Sequence, residues 1–195
     1  YQDYQGEVFF GNHELKTLDP DFVRKKIGIL FQDFVRYELS ARENIAFGNL
    51  SKIGDTAEIT SIVSDVGLDK KLENIDMQLG FWFDDGVQLS GGEWLKIALG
   101  RAFIRDADLY LLDEPNAALD AISEKKILQT FKRLVKGKIG IIISHRISSI
   151  KDMVDKIVVF RDGKIEAIGT HAELLQTSQT YKELYLNEIA ESEIE

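Results

Sequence analysis

The eight residues Asp108-Leu109-Tyr110-Leu111-Leu112-Asp113-Glu114-Pro115 constrain the fold more than any other stretch of the chain. Four large apolar side chains in succession leave no polar face, so a strand here is expected to be covered on both sides, as in a parallel sheet flanked by helices. The downstream sequence agrees with that reading. Residues 120–136 place Ile127, Leu128, Phe131 and Leu134 on one face of a helix, and residues 139–143 are expected to form a second buried run. The resulting strand-helix-strand unit calls for a right-handed crossover between parallel strands.

The carboxyl edge of such a sheet is where open α/β folds take ligands. Asp113 at that edge suits holding Mg²⁺ through its waters, and Glu114 suits orienting or deprotonating an attacking water. Two acids in this position also serve simply to end a strand and cap the next turn. A second motif separates the two readings. Leu89-Ser90-Gly91-Gly92-Glu93 opens a helix over residues 93–104, with Leu89 lying 24 positions before Asp113. Ser90 can cap that helix, while Gly91 and Gly92 leave backbone N–H groups open to a phosphate at the positive end of the helix dipole. Two glycines cost helix stability that a cap alone does not require, which favours anion binding.

Elsewhere the chain is mixed. Residues 6–10 and 27–31 read as strands, and Asp19-Pro20 opens a short helix within 18–26. A helical block comes next, with helix-like segments at 41–47, 56–66 and 70–75, and then a loop over 80–88. Residues 157–161 and 164–168 flank Asp162-Gly163, the dipeptide of a tight hairpin turn. Residues 172–175 and 181–189 are helical, running into a frayed acidic end. No internal repeat is present.

Composition narrows the function. A net charge of −9 argues against a nucleic-acid partner, because phosphate-backbone binding relies on clustered cations. The absence of cysteine removes disulfides, thiol nucleophiles and thiolate metal sites. No stretch approaches the roughly 20 apolar residues needed to span a bilayer. The sequence opens on Tyr1 with no charged-then-apolar leader, which suggests a start in mid-sequence.

The serine-glycine helix start and the acid-terminated strand together resemble the signature sequence and Walker B strand of an ABC ATPase domain. The other elements of that family stand in order. Gln32 resembles the Q-loop glutamine, Ala118-Leu119-Asp120 the D-loop, and Ser144-His145-Arg146 the switch-histidine segment. The resemblance implies a P-loop NTPase fold of the ABC-ATPase type: an α/β, RecA-like parallel sheet core over 1–36 and 107–195, a helical subdomain over 37–106, and one domain in all. It implies ATP and Mg²⁺ as the cofactors, with Asp113 and Gln32 near the metal and Glu114, His145 and Gln32 as catalytic residues. Ser90, Gly91, Gly92, Glu93 and Asp120 are implied to bind ATP across a head-to-tail pair of such domains. The segments Ser40-Ala41-Arg42-Glu43-Asn44-Ile45-Ala46-Phe47-Gly48 and Asp162-Gly163-Lys164 through Gly169-Thr170-His171-Ala172-Glu173-Leu174-Leu175 are similar to exporter-type domains, and Gly92-Glu93-Trp94 to peptide, lantibiotic or multidrug exporters.

For such an exporter the resemblance implies a transmembrane partner, fused upstream, and a place on the cytoplasmic face of the cell membrane. A groove beside the Gln32 loop, with Phe34, Tyr37 and Leu39 as candidate lining, would receive a cytoplasmic helix of that partner; internal packing of the three is the other reading. No Gly-x-x-x-x-Gly-Lys-Ser/Thr loop occurs in the chain. The expectation is therefore a domain cut after its phosphate loop, a poor ATP binder by itself, with an apolar sheet face or edge uncovered. Two alternatives stand beside the exporter motor: a soluble ATPase of the same class acting in translation or DNA repair, and a non-hydrolysing dimerisation module.

Overall fold

A computed structural model describes residues 4–82, 84–115 and 119–192. It opens with a two-rung antiparallel hairpin, β1 (Phe9–Phe10) against β2 (His13–Glu14). The strand expected from residue 6 is thus shorter than the apolar run suggests. Gly6 turns at φ 93°, and the Val8 carbonyl accepts the Leu15 N–H at 2.7 Å, which closes the hairpin after two pairs. Helix α1 (Pro20–Lys25) starts as its sequence dictates, with Pro20 in the first turn and the Asp19 carboxylate accepting the Asp21 N–H at 3.0 Å.

Strand β3 (Ile27–Leu30) leads into the helical region. Helix α2 (Ala41–Ala46) carries a capping box, Ser40 and Glu43 satisfying each other's backbone N–H groups. Helix α3 (Thr56–Asp65) is capped by Asp55, and α4 (Gly91–Phe103) by Ser90. The helix expected over 70–75 is instead a series of turns. The Asn74 side chain accepts the Asp76 N–H at 2.9 Å, a local bond that competes with a helical ladder, while Leu68, Leu72 and Ile75 still anchor the segment in the core.

Strand β4 (Leu109–Asp113), helix α5 (Ala121–Leu134) and strand β5 (Ile139–Ile143) form the expected strand-helix-strand unit. Among the described residues the sheet has order β3-β4-β5, wholly parallel, with Ile27, Leu109 and Ile139 in one row and Ile29, Leu111 and Ile141 in the next. Only one face is well covered. Tyr110 and Leu112 are fully buried, and Gly140 lets β5 approach Phe131 of α5 and Val135 at its C-cap. The expectation that residues 139–143 are buried is not met: Ile139, Ile141 and Ile143 are 63%, 43% and 49% exposed. Among the described residues β5 is an edge strand with a helix on one side alone, which leaves those three side chains exposed.

After β5 come α6 (Ile147–Ile150), the hairpin β6 (Ile157–Arg161) with β7 (Lys164–Gly169), and helices α7 (His171–Thr177) and α8 (Gln179–Ser192). Asp162 and Gly163 take φ values of 50° and 73°, the left-handed pair that a two-residue turn needs. One hydrophobic cluster runs from Ile45, Ile59 and Leu99 of the helical region through Tyr110 and Leu112 to Ile127 and Phe131. A smaller cluster joins Val159, Leu174 and Tyr181, with Ile147 and Leu175 against it. No helix among the described residues is long and apolar enough to cross a membrane.

Candidate functional site

Parallel register decides which residues meet. Leu30, Leu112 and Ile142 share one row of the sheet, so the residues just beyond each strand emerge side by side at the carboxyl edge. From β3 comes Gln32, from β4 Asp113 and Glu114, and from β5 His145. The Glu114 carboxylate lies between the other two: Oε2 accepts from Gln32 Nε2 at 3.5 Å, and Oε1 lies 3.1 Å from His145 Nδ1. An ionised carboxylate only accepts, so Nδ1 is the protonated nitrogen in that contact and Nε2 is the one left for another partner. The Glu114 side chain is 24% exposed and that of His145 is 61% exposed, so the cluster is open to an incoming molecule.

Glu114 holds its position at a cost. Its N–H donates to the Ile143 carbonyl at 2.9 Å, extending the ladder one step, while its φ is 48°, the left-handed region that a residue with a Cβ seldom occupies. Asp113 ends the ladder opposite Ile143, half-buried, and its carboxylate makes no hydrogen bond or ion pair among the described residues. These donors fit Mg²⁺ better than a transition metal. One unpaired carboxylate and an amide oxygen leave most positions to water and phosphate, and no group of three or more His, Asp and Glu forms a protein-only cage among the described residues.

The serine-glycine motif is placed as its sequence requires. Ser90 Oγ accepts the Glu93 N–H at 3.3 Å, and Glu93 Oε2 accepts the Ser90 N–H at 2.8 Å. Glu93 is therefore engaged in the capping box of α4. The N–H groups of Gly91 and Gly92 belong to the first turn, which has no acceptor of its own within the helix. A Cβ on Gly91 would meet nothing within 4 Å, so this helix tip is bare. Asp120 caps α5, accepting from the Ile122 and Ser123 N–H groups at 3.1 and 2.9 Å. The Ser123 N–H is the main cause that holds its carboxyl below the usual range. No described contact joins Ser90, Gly91, Gly92, Glu93 or Asp120 to the Gln32–Glu114–His145 cluster within this one chain, and Ala118 of the Ala118-Leu119-Asp120 motif lies outside the described residues.

One supporting residue, Arg101, carries no motif of its own. Arg101 of α4 donates to the Asn44 carbonyl at 3.0 Å and the Val35 carbonyl at 3.2 Å and lies 4.8 Å from the Tyr37 ring centre, fastening the loop after Gln32 to the helical region. Burial lowers the pKa of its guanidinium. An arginine just after the apolar run Ile97-Ala98-Leu99-Gly100 is the only hint the sequence offers. Of the proposed groove residues, Phe34 packs against the main cluster, while Tyr37 is 37% exposed and meets Phe47 edge-on at 4.9 Å. A large cavity of about 950 Å³ lies away from the site, between the end of α5 and Met153–Asp155, with Lys126, Lys132 and Lys136 in its walls.

Comparison with known proteins identifies the family and the fold. A family model described as ABC transporter matches residues 1–117. The subtilin transport ATP-binding protein SpaT of Bacillus subtilis is 44% identical over 200 residues, covering 98% of this chain and 32% of the relative. The nisin transport ATP-binding protein NisT of Lactococcus lactis subsp. lactis is 43% identical over 192 residues, covering 96% of this chain and 32% of its own. A solved structure of a bacterial Atm1-family ABC exporter with ATP bound superposes with a TM-score of 0.84 at 26% identity, over 94% of this chain and 32% of that one. The chain thus spans about a third of the length of the relatives it matches.

Proposed function

The chain belongs to the ABC transporter family and has the fold of its ATP-binding domain, and from that premise we propose that it is the ATP-hydrolysing motor of a membrane exporter. The observation that carries the proposal is the Glu114 carboxylate held between Gln32 and His145 at the carboxyl edge of a parallel sheet. In this reading Glu114 orients and deprotonates the attacking water, the Gln32 amide fixes the far side of its carboxylate, and His145 presents Nε2 to the γ-phosphate. Asp113 and Gln32 would hold Mg²⁺, which supplies positive charge against the phosphate oxygens. Asp113 suits that task because nothing else among the described residues claims its carboxylate.

Ser90, Gly91, Gly92, Glu93 and Asp120 lie apart from the cluster in one chain, which fits a site completed by a second copy facing head to tail. The bare tip of α4 would meet the γ-phosphate of that copy's ATP. Hydrolysis would then release the grip that joins the two, turning chemistry into opening of the pair. A membrane-spanning part of the transporter would receive the motion, with this domain on the cytoplasmic face. The names of the relatives that match over nearly the whole chain make a subtilin- or nisin-like compound the proposed cargo.

The test is made on the protein as encoded in full, including whatever precedes Tyr1. Glu114→Gln keeps the side chain's size and removes its basicity. It is expected to lower kcat for ATP hydrolysis at least about 100-fold, the scale of a lost general base, while nucleotide binding persists. Wild-type turnover in Glu114→Gln, or in His145→Ala, would remove the site from the chemistry.

A further inference from the structure

We propose that Glu188, on α8 near the end of the described chain, is a positioning residue for His145. The inference rests on the reading of His145 as the group that meets the γ-phosphate. The His145 ring has one described contact, Glu114, and is largely exposed, so side-chain packing does little to fix it. Its placement falls to the three-residue link between β5 and α6, namely Ser144, His145 and Arg146. On the β5 side that link is anchored by the ladder, through the Glu114 N–H on the Ile143 carbonyl.

The α6 side has no local anchor of the usual kind. Arg146, at the cap position of α6, makes no side-chain cap bond, so the first N–H groups of that turn need an acceptor from elsewhere. Glu188 supplies it from 41 residues away. Its Oε2 accepts the Ile147 N–H at 2.7 Å, both carboxylate oxygens lie 3.2 Å from the Ser148 N, and Oε1 accepts the Ser148 hydroxyl. Hydrogen bonds to a charged acceptor are among the stronger ones, and three donors on one carboxylate define its position closely. An ion pair and a further hydrogen bond stiffen the link. Arg146 reaches Glu124 of α5 at 3.7 Å, and the Arg146 N–H donates to Ser144 Oγ at 2.9 Å.

Helix α8 can bear this load because it is seated independently. Tyr181, 1% exposed, sits in the second cluster and bonds His171 Nδ1 at 2.7 Å, two turns before Glu188. Helix α8 is thereby a strut between the second cluster and the link that carries His145. Nothing in the local sequence of either partner announces the pairing.

The experiment measures steady-state ATP hydrolysis by the full-length protein carrying Glu188→Ala, Glu188→Gln, His145→Ala, or Glu188→Ala with His145→Ala, with single-turnover assays for the slow variants. Glu188→Ala is expected to lower kcat about tenfold with KM for ATP within about twofold, as befits a residue that orients a transition-state contact without touching bound nucleotide. Glu188→Gln, which keeps a carbonyl acceptor, is expected to recover at least about half of the wild-type rate. The double variant is expected to be no slower than His145→Ala alone, because Glu188 acts through that histidine. An unchanged kcat in Glu188→Ala, or an equal further loss in the His145→Ala background, would overturn the proposal. If Glu188→Ala does not fold, Ser148→Ala replaces it, with a loss of about twofold in kcat at constant KM expected and no loss overturning the idea. Full activity in His145→Ala would instead defeat the functional reading on which the proposal rests.

Discussion

Two described residues that carry a Cβ take a positive φ, and they do so for different reasons. Asp162 sits in a two-residue hairpin turn whose geometry requires it. Glu114 takes its φ of 48° directly after β4, and the strain, of the order of 1–2 kcal/mol, falls where the carboxylate is needed. That cost was invisible in the sequence, although the acid itself was not: Asp113-Glu114 could be read because a run of four apolar residues ended on it. Gly91 shows the reverse relation between stability and function. A methyl group there would meet nothing within 4 Å and would favour the helix, so Gly91→Ala is expected to stabilise the fold by up to about 1 kcal/mol in denaturant melts. The same variant is expected to slow ATP hydrolysis by the complete protein, because the added carbon lies on the bare helix tip. A variant that is more stable and equally active would show that no phosphate approaches Gly91.

At the level of elements, helix starts are the best-read features and the least neutral in charge. Ser40–Glu43, Ser90–Glu93 and Thr170–Glu173 form capping boxes on α2, α4 and α7, and Asp120 caps α5. Hydrogen bonds lower the pKa of three of these acids: the Ser40 hydroxyl acts on Glu43, the Thr170 N–H on Glu173, and the Ser123 N–H on Asp120. A carboxyl whose pKa is lower folded than unfolded adds stability above its unfolded value, and that stability is lost as pH falls through the folded one. The denaturation midpoint is therefore expected to fall below the ordinary carboxylate range, and Glu173→Gln is expected to flatten that fall. An acid limb of the same steepness in the variant would count against the cap. Helices α4 and α5 were legible because cap, period and apolar face agree along each. The turns over 70–75 were not, because Leu72 and Ile75 are spaced as in a helix while the Asn74 side chain diverts the backbone.

For the molecule as a whole, the sheet's open face matters most. Ile27, Leu109 and Ile139 form one row and Ile29, Leu111 and Ile141 the next, half-buried on β3 and β4 and exposed on β5. A sequence can say that such a strand is apolar; what lies over it is a property of the rest of the fold, which is why the strand at residues 139–143 is legible in the sequence and its exposure is not. Contiguous exposed apolar surface promotes association. Ile141→Thr, which keeps a β-branched side chain at a site 43% exposed, is expected to change stability by less than about 0.5 kcal/mol while reducing self-association in sedimentation. A stability loss of several kcal/mol would mean that the face is covered in solution. The register of the sheet also arranges the site in time. Glu114 and His145 are 31 positions apart along the chain, whereas Glu114 and Gln32 are 82 apart. Closing the longer loop costs about 0.9 kcal/mol more entropy, so a complete chain refolding from denaturant is expected to bring acid and imidazole together first, with the amide on the opposite flank joining later.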